Sequence, residues 1–290
     1  MDDLAASDGA RGPLAAGAAR AVREARGSTA LRLTGAESLA VLNRVTTQRL
    51  DDLAPGEART TLWCDFRGRL QHRALVARGS DGAVWLLRED APGAELAAQV
   101  DRAVFREDVR IEDRSAGLPV ALVLADHATT RIDETPVLIA LEGGLAIAVG
   151  DAIGRAASAS EADRIRRGRA RHGAEVVLDY TPYEANLGAH VHLAKGCYTG
   201  QEALQRLVTY ASVRRRLVRF DGAGEAPAPG ELLADGAGAG RLTSVATAPD
   251  GWTALAVVRI AALQSGAALA LESGRQLAPP HEFPIAQPVR

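Results

Sequence analysis

The segment Ala30-Leu31-Arg32-Leu33-Thr34 alternates apolar and polar positions and predicts a strand that Gly35 breaks. From Ala36 to Arg49, Leu39, Leu42, Val45 and Thr46 recur at helical spacing, which predicts an amphipathic helix. Pro55-Gly56 marks a turn. Thr60 to Cys64 and Leu70 to Ala77 have strand composition and flank the polar stretch Asp65-Phe66-Arg67-Gly68-Arg69, a hairpin connection. Further strands are expected at Ala83 to Leu87 and Val109 to Ile111, with a helix from Glu95 to Val104. Val120 to Leu124, Val137 to Leu141 and Leu145 to Val149 are short apolar runs, the last two split by Gly143-Gly144. Ser160 to Arg171 carries five arginines and predicts an exposed helix.

Beyond residue 221 the pattern changes. Asp221 to Pro229 is rich in Gly, Ala and Pro, and Gly236 to Gly240 has loop composition. Strand-like runs stand around them at Val213 to Phe220, Arg241 to Val245, Ala254 to Val258 and Ala268 to Leu271. Several short strands with turn signals between them predict a small terminal β-barrel or sandwich. No internal repeat is visible, and the proline-containing tail from Pro279 onward is expected to be irregular. Strands mixed with helices give an α+β fold class.

Composition narrows this only modestly. A chain of 290 residues is long for one core and implies two or three domains. A formal net charge of -2 exerts no global pull toward nucleic acid, membrane or an acidic partner. No apolar stretch approaches membrane-spanning length and the acidic N-terminus lacks a signal-peptide pattern, so a cytoplasmic protein is expected. Cys64 and Cys197 lack CxxC partners, which excludes a zinc ribbon or thioredoxin motif; one disulfide between them is conceivable.

The chemistry concentrates at residues 195–202, Lys-Gly-Cys-Tyr-Thr-Gly-Gln-Glu. Gly196 and Gly200 frame Cys197 in a sharply turning backbone, and a helix is expected to start at Thr199 or Gln201-Glu202 and run toward Val208. A cysteine near a helix N-terminus with Lys195 two residues away sits in positive potential, which favours the thiolate. The other reading is an inert cysteine buried in a glycine turn.

The octapeptide resembles the signature of the YgfZ/GcvT family, folate-binding relatives of the glycine-cleavage aminomethyltransferase. Matching segments stand in order on both sides. Leu33-Thr34-Gly35, Leu42-Asn43-Arg44-Val45-Thr46, Cys64-Asp65-Phe66-Arg67-Gly68-Arg69 and Val104 to Val109 precede it, as does Pro182-Tyr183-Glu184-Ala185-Asn186-Leu187. Arg206, Arg214-Arg215-Arg216-Leu217 and Arg241-Leu242-Thr243-Ser244 follow. The resemblance implies three domains around a central cleft: residues 26–110, completed by 175–210; residues 111–174; and a C-terminal barrel over 211–290, after a leader at 1–25. It implies tetrahydrofolate or a derivative as ligand, iron–sulfur client proteins including tRNA-modifying enzymes, and Cys197 as the residue tied to that role. Glu184, Tyr198, Gln201 and Arg206 are then the expected folate-binding residues, with Lys195, Gly196, Tyr198, Gly200, Gln201 and Glu202 shaping the thiol loop.

Two departures bear on activity. Where the family carries an acidic residue suited to pterin N–H groups, this chain has Arg166, in Arg164-Ile165-Arg166-Arg167-Gly168-Arg169-Ala170. Glu184 is one substitute; the arginines meeting a glutamyl tail is another; a solvated helix face is the third. No segment over 80–105 matches the transferases' catalytic aspartate region, and nothing local singles out Asp90 or Asp101. This favours a non-catalytic folate-linked factor over an aminomethyltransferase-like enzyme, with a folate-independent interaction module as a further alternative. His190 and His192 could join Cys197 as metal ligands, but no third or fourth ligand is evident and no metal is expected. Trp63, Trp85 and Trp252 are expected in cores, and no aromatic residues interleave with Arg214 to Arg216 to mark a nucleic-acid surface.

Overall fold

The computed structural model describes residues 27–125, 131–133 and 136–290, so the expected leader lies outside the described residues. Strand β1 (Thr29–Thr34) forms where the alternation predicts. Helix α1 (Ser38–Val45) is shorter than the periodicity implies, because Thr46 turns to extended backbone and gives its hydroxyl to the Leu42 carbonyl. Strands β2 (Ala58–Cys64) and β3 (Leu70–Arg78) form the expected hairpin. Its turn is set by Asp65, whose carboxylate accepts the N–H groups of Arg67 at 2.9 Å and Arg69 at 2.7 Å. With β4 (Val84–Arg88), helix α2 (Ala94–Asp101) and β5 (Arg110–Asp113), they complete an antiparallel sheet in the order β2-β3-β4-β1-β5.

Both faces of this sheet are covered. Leu31, Leu33, Trp63 and Leu86 on one face pack with Leu42 of α1 and with Leu96 and Val100 of α2. Ala30, Ala77, Trp85 and Leu87 on the other meet Val120, Ile139, Ile147 and Val149 of a second sheet. That sheet is built from β6 (Val120–Leu124), β7 (Arg131–Ile132), β8 (Pro136–Ala140) and β9 (Leu145–Val149), in the order β6-β9-β8-β7. Burial on both sides explains why β4 is a continuous apolar run instead of an alternating one. Each such leucine-sized side chain contributes about 1.5–3 kcal/mol.

The arginine-rich segment overturns an expectation. Helix α3 spans only Glu161–Arg166, opened by a reciprocal capping box between Ser160 and Asp163, and it is not a solvated face. Arg164 and Ile165 are buried, and Arg164 lies 3.4 Å from the fully buried Glu175. Helix α4 (Gln201–Thr209) follows the signature as predicted.

The C-terminal part is an antiparallel barrel sheet. Its strands are β10 (Arg215–Gly222), β11 (Gly230–Ala234), β12 (Ala237–Ala248), β13 (Gly251–Arg259), β14 (Leu269–Leu271) and β15 (His281–Glu282), with helix α5 (Ile260–Ser265) before β14. They lie in the order β14-β11-β12-β13-β10-β15 around Phe220, Leu242 and Trp252. The glycine-rich stretch expected as a loop over 236–240 is mostly strand. A Cβ on Gly240 would lie 2.4 Å from the Val257 carbonyl, so glycine there permits close approach within β12. Among the described residues no helix is long and apolar enough to cross a membrane.

Candidate functional site

The loop bearing Cys197 is seated by three segments remote in sequence. The turn after α1 reaches across first: Thr47 donates its hydroxyl to His190 O at 2.7 Å and accepts the His192 N–H at 2.9 Å, while Arg49 reaches Ala194 O at 3.4 Å. The chain's far end supplies the second contact, since Val289 donates to Val191 O at 2.8 Å and accepts from Leu193 at 2.9 Å. The hairpin turn is the third. Gly200 has φ +84°, and a Cβ there would sit 2.4 Å from the Asp65 carbonyl, so the signature's second glycine is required twice over. Gln201 then ties α4 back to the loop through Leu193 O at 2.9 Å.

On this seat Cys197 is exposed, which removes the buried-cysteine reading. Cys64 is the buried thiol. It packs with Tyr198 in one apolar cluster, burial pushes its ionisation far upward, and both cysteines are free, so no disulfide joins them. Lys195 has a partner other than the one expected: its ammonium binds the Asn43 carbonyl, with Asn43 Oδ1 at 3.3 Å and the Tyr198 ring 5.1 Å away. Burial lowers its pKa to about 8.

The expected ligand-binding residues are not gathered in one place. Glu184 is buried, accepts from Thr181 N at 3.0 Å and Arg69 at 3.2 Å, and lines a hollow of about 290 Å³. Tyr198 lies in the core beneath the loop, and burial raises its hydroxyl pKa. Gln201 spends its amide on Leu193, and Arg206 pairs with Glu202 at 2.5 Å on the exposed face of α4. Arg166 is exposed at the end of α3. The pair His190 and His192 is not on a regular strand, because residues 188–190 form a 3₁₀ turn. Among the described residues no group of three or more His, Cys, Asp or Glu side chains is placed to hold a metal.

An interior charge network went unrecognised in the sequence. Arg73, 3% exposed, binds Glu89 at 2.7 Å and Asp90 at 3.0 Å; Arg169 binds Glu89 at 2.8 Å; and Asp90 accepts the His172 N–H at 2.9 Å. Burial opposes ionisation of Glu89, yet Arg169 and Arg73 outweigh it and hold the carboxyl well below its usual range. Asp90, which nothing local singles out, is thus fixed inside this network. The available signal was Arg73 itself, a charge directly before the apolar run Ala74-Leu75-Val76-Ala77 of β3.

His72 and His172 stack 5.6 Å apart beside the network, and Arg88 approaches His72 Nδ1 at 3.3 Å. Burial, then Arg88, lower the pKa of His72 to about 4, so the ring is neutral at pH 7. The pair lines a cavity of about 500 Å³ with Gln71, Glu95, Gln99 and Arg102. Leu178, also on its wall, is shared with a cleft of about 660 Å³ between the β2–β3 hairpin and the barrel.

Comparison with known proteins defines the class. Residues 214–284 match the family model of the CAF17 C-terminal β-barrel domain. The glycine cleavage system aminomethyltransferase T from Bartonella henselae superposes with a TM-score of 0.66, covering 90% of this chain and 85% of that one at 15% identity. The fold is therefore GcvT-like, α+β with a C-terminal β-barrel. A chloroplastic protein of Arabidopsis thaliana, provisionally named a transferase, is 35% identical over 81 residues, which are 28% of this chain and 19% of that protein. Together these similarities show a GcvT-like scaffold whose last domain matches the CAF17 C-terminal β-barrel, and they designate no member.

Proposed function

We propose that the protein is a folate-binding accessory factor for the assembly or repair of iron–sulfur enzymes, tRNA-modifying ones among them, with Cys197 as its working thiol. The observation that carries this reading is the exposed Cys197 on a loop held from three sides, an arrangement that presents a thiol without burying it. The two free thiols accord with a reducing compartment such as the cytoplasm.

The residues lining the 500 Å³ cavity fit a tetrahydrofolate-type ligand. Pterin N–H groups would meet the Glu95 carboxylate and the Gln71 and Gln99 amides, the stacked His72 and His172 rings would flank it, and Arg102 would meet a tail carboxylate. When bound, such a ligand supplies a one-carbon carrier. An aminomethyltransferase-like activity is the second reading, favoured by the shared fold.

Calorimetric titration with tetrahydrofolate is the deciding experiment. Binding without turnover of a methylamine donor supports the accessory factor, and turnover supports the enzyme. No heat and no thermal stabilisation would leave a folate-independent interaction module. Cys197→Ala is expected to fold normally and to lose activity in cells; a fully active variant would sink the role given to this thiol.

A further inference from the structure

We infer that an arginine-lined groove across the β2–β3 hairpin, the end of α4 and the barrel edge binds single-stranded nucleic acid. The inference does not depend on folate binding. Three adjoining hollows, of about 660, 430 and 290 Å³, all share Arg215. Arg67, Arg69, Arg214, Arg215, Arg241 and Arg259 line them, against Asp65, Asp179, Glu184 and Glu231. Positive charge therefore collects here in a chain whose net charge is -2. Among the described residues Arg67, Arg214 and Arg259 form no ion pair, whereas Arg69 is held by Glu184 and Arg241 by Glu231.

The aromatic partners that the linear sequence around Arg214 lacks are supplied by folding. Phe66 and Tyr210 are each 74% exposed. Phe66 precedes the lining residue Arg67, whose guanidinium lies 5.1 Å from its ring centroid, and Tyr210 stands two residues before the lining residue Ser212. Gly68 packs the hairpin turn against Ala203 and Leu204, so the turn that carries Phe66 rests on the helix that Tyr210 ends. An exposed ring beside a guanidinium, as at Phe66 and Arg67, suits a stacked base joined to phosphates, whereas an acidic peptide needs only the charges. Three hollows that adjoin around Arg215 give more room than one small anion needs.

The test is fluorescence anisotropy with labelled oligouridine of about 12 nucleotides, a length within the usual range for such grooves. Three free arginines imply a salt slope near −2, so affinity should fall roughly 20-fold between 50 and 200 mM salt. Phe66→Ala and Tyr210→Ala should each weaken binding about fivefold or more, and the Arg214→Glu/Arg259→Glu double variant should abolish it with an unchanged melting temperature. Oligothymidine bound equally well supports the same groove acting on either sugar. No binding by the wild-type protein at 50 mM salt overturns the inference, as does binding untouched by these substitutions. Tighter capture of polyglutamate, insensitive to the two aromatic changes, overturns it in favour of an acidic peptide.

Discussion

Glu175 shows how one side chain joins two parts of this molecule. Fully buried, it accepts hydroxyls from Thr243 at 2.5 Å and Ser244 at 2.6 Å in β12, and the backbone N–H of Arg171 at 2.9 Å, while facing Arg164. Glu175→Ala would leave that arginine buried with less compensation and take the carboxylate from the Ser244 hydroxyl, while Thr243 keeps the Leu255 carbonyl at 3.1 Å. A loss of about 3–5 kcal/mol is expected by denaturant titration. Gly200→Ala tests the loop instead. Left-handed backbone alone costs about 1–3 kcal/mol there, and the close Asp65 carbonyl adds to it, so a lower melting temperature and a loop shifted off the hairpin are expected by thermal scan and crystallography. The signature glycines and Cys197 were legible because their spacing is local. Glu175 was not, since its two hydroxyl partners lie 68 and 69 residues away and no pattern near it marks a buried charge.

At the level of elements, periodicity located most strands and misjudged what covers them. The runs 120–124 and 145–149 became β6 and β9 at the expected bounds, since short apolar stretches between turns have few alternatives. The arginine-rich stretch failed because charge count was taken for exposure, while Arg164 and Arg169 are neutralised inside by Glu175 and Glu89. The cavity by the stacked histidines was illegible for a related reason: His72 and His172 are a hundred residues apart and meet only through tertiary packing. One element-scale consequence is measurable by hydrogen exchange. Val289→Pro removes the N–H that binds Val191, so exchange at Leu193 should rise more than at His192, whose N–H is held separately by Thr47. Equal rises at both positions would mean that the two contacts open together.

For the whole molecule the histidines set an acid limit. Burial is the leading cause that lowers His72 and His190 to about 4 from an ordinary value of 6.5. Between those values the unfolded chain binds protons that the folded one refuses. Stability therefore falls as pH drops from 6.5 toward 4, and is unaffected by these two groups above 6.5. Melting temperatures across that window should decline, with a shallower decline in His72→Gln. The barrel and the GcvT-like scaffold are shared with proteins bearing little sequence identity to this one, so the fold alone does not dictate which chemistry the thiol performs.

The seat under Cys197 also has a history in time. Its parts come from residues 47–49, 65 and 289, so a ribosome has made the hairpin and presented the signature long before the last contact emerges. Early domains fold as they are synthesised. Until Val289 emerges, the segment leading into the thiol loop lacks its two backbone contacts at Val191 and Leu193, and the 47–49 turn and the hairpin are the parts of the seat already made.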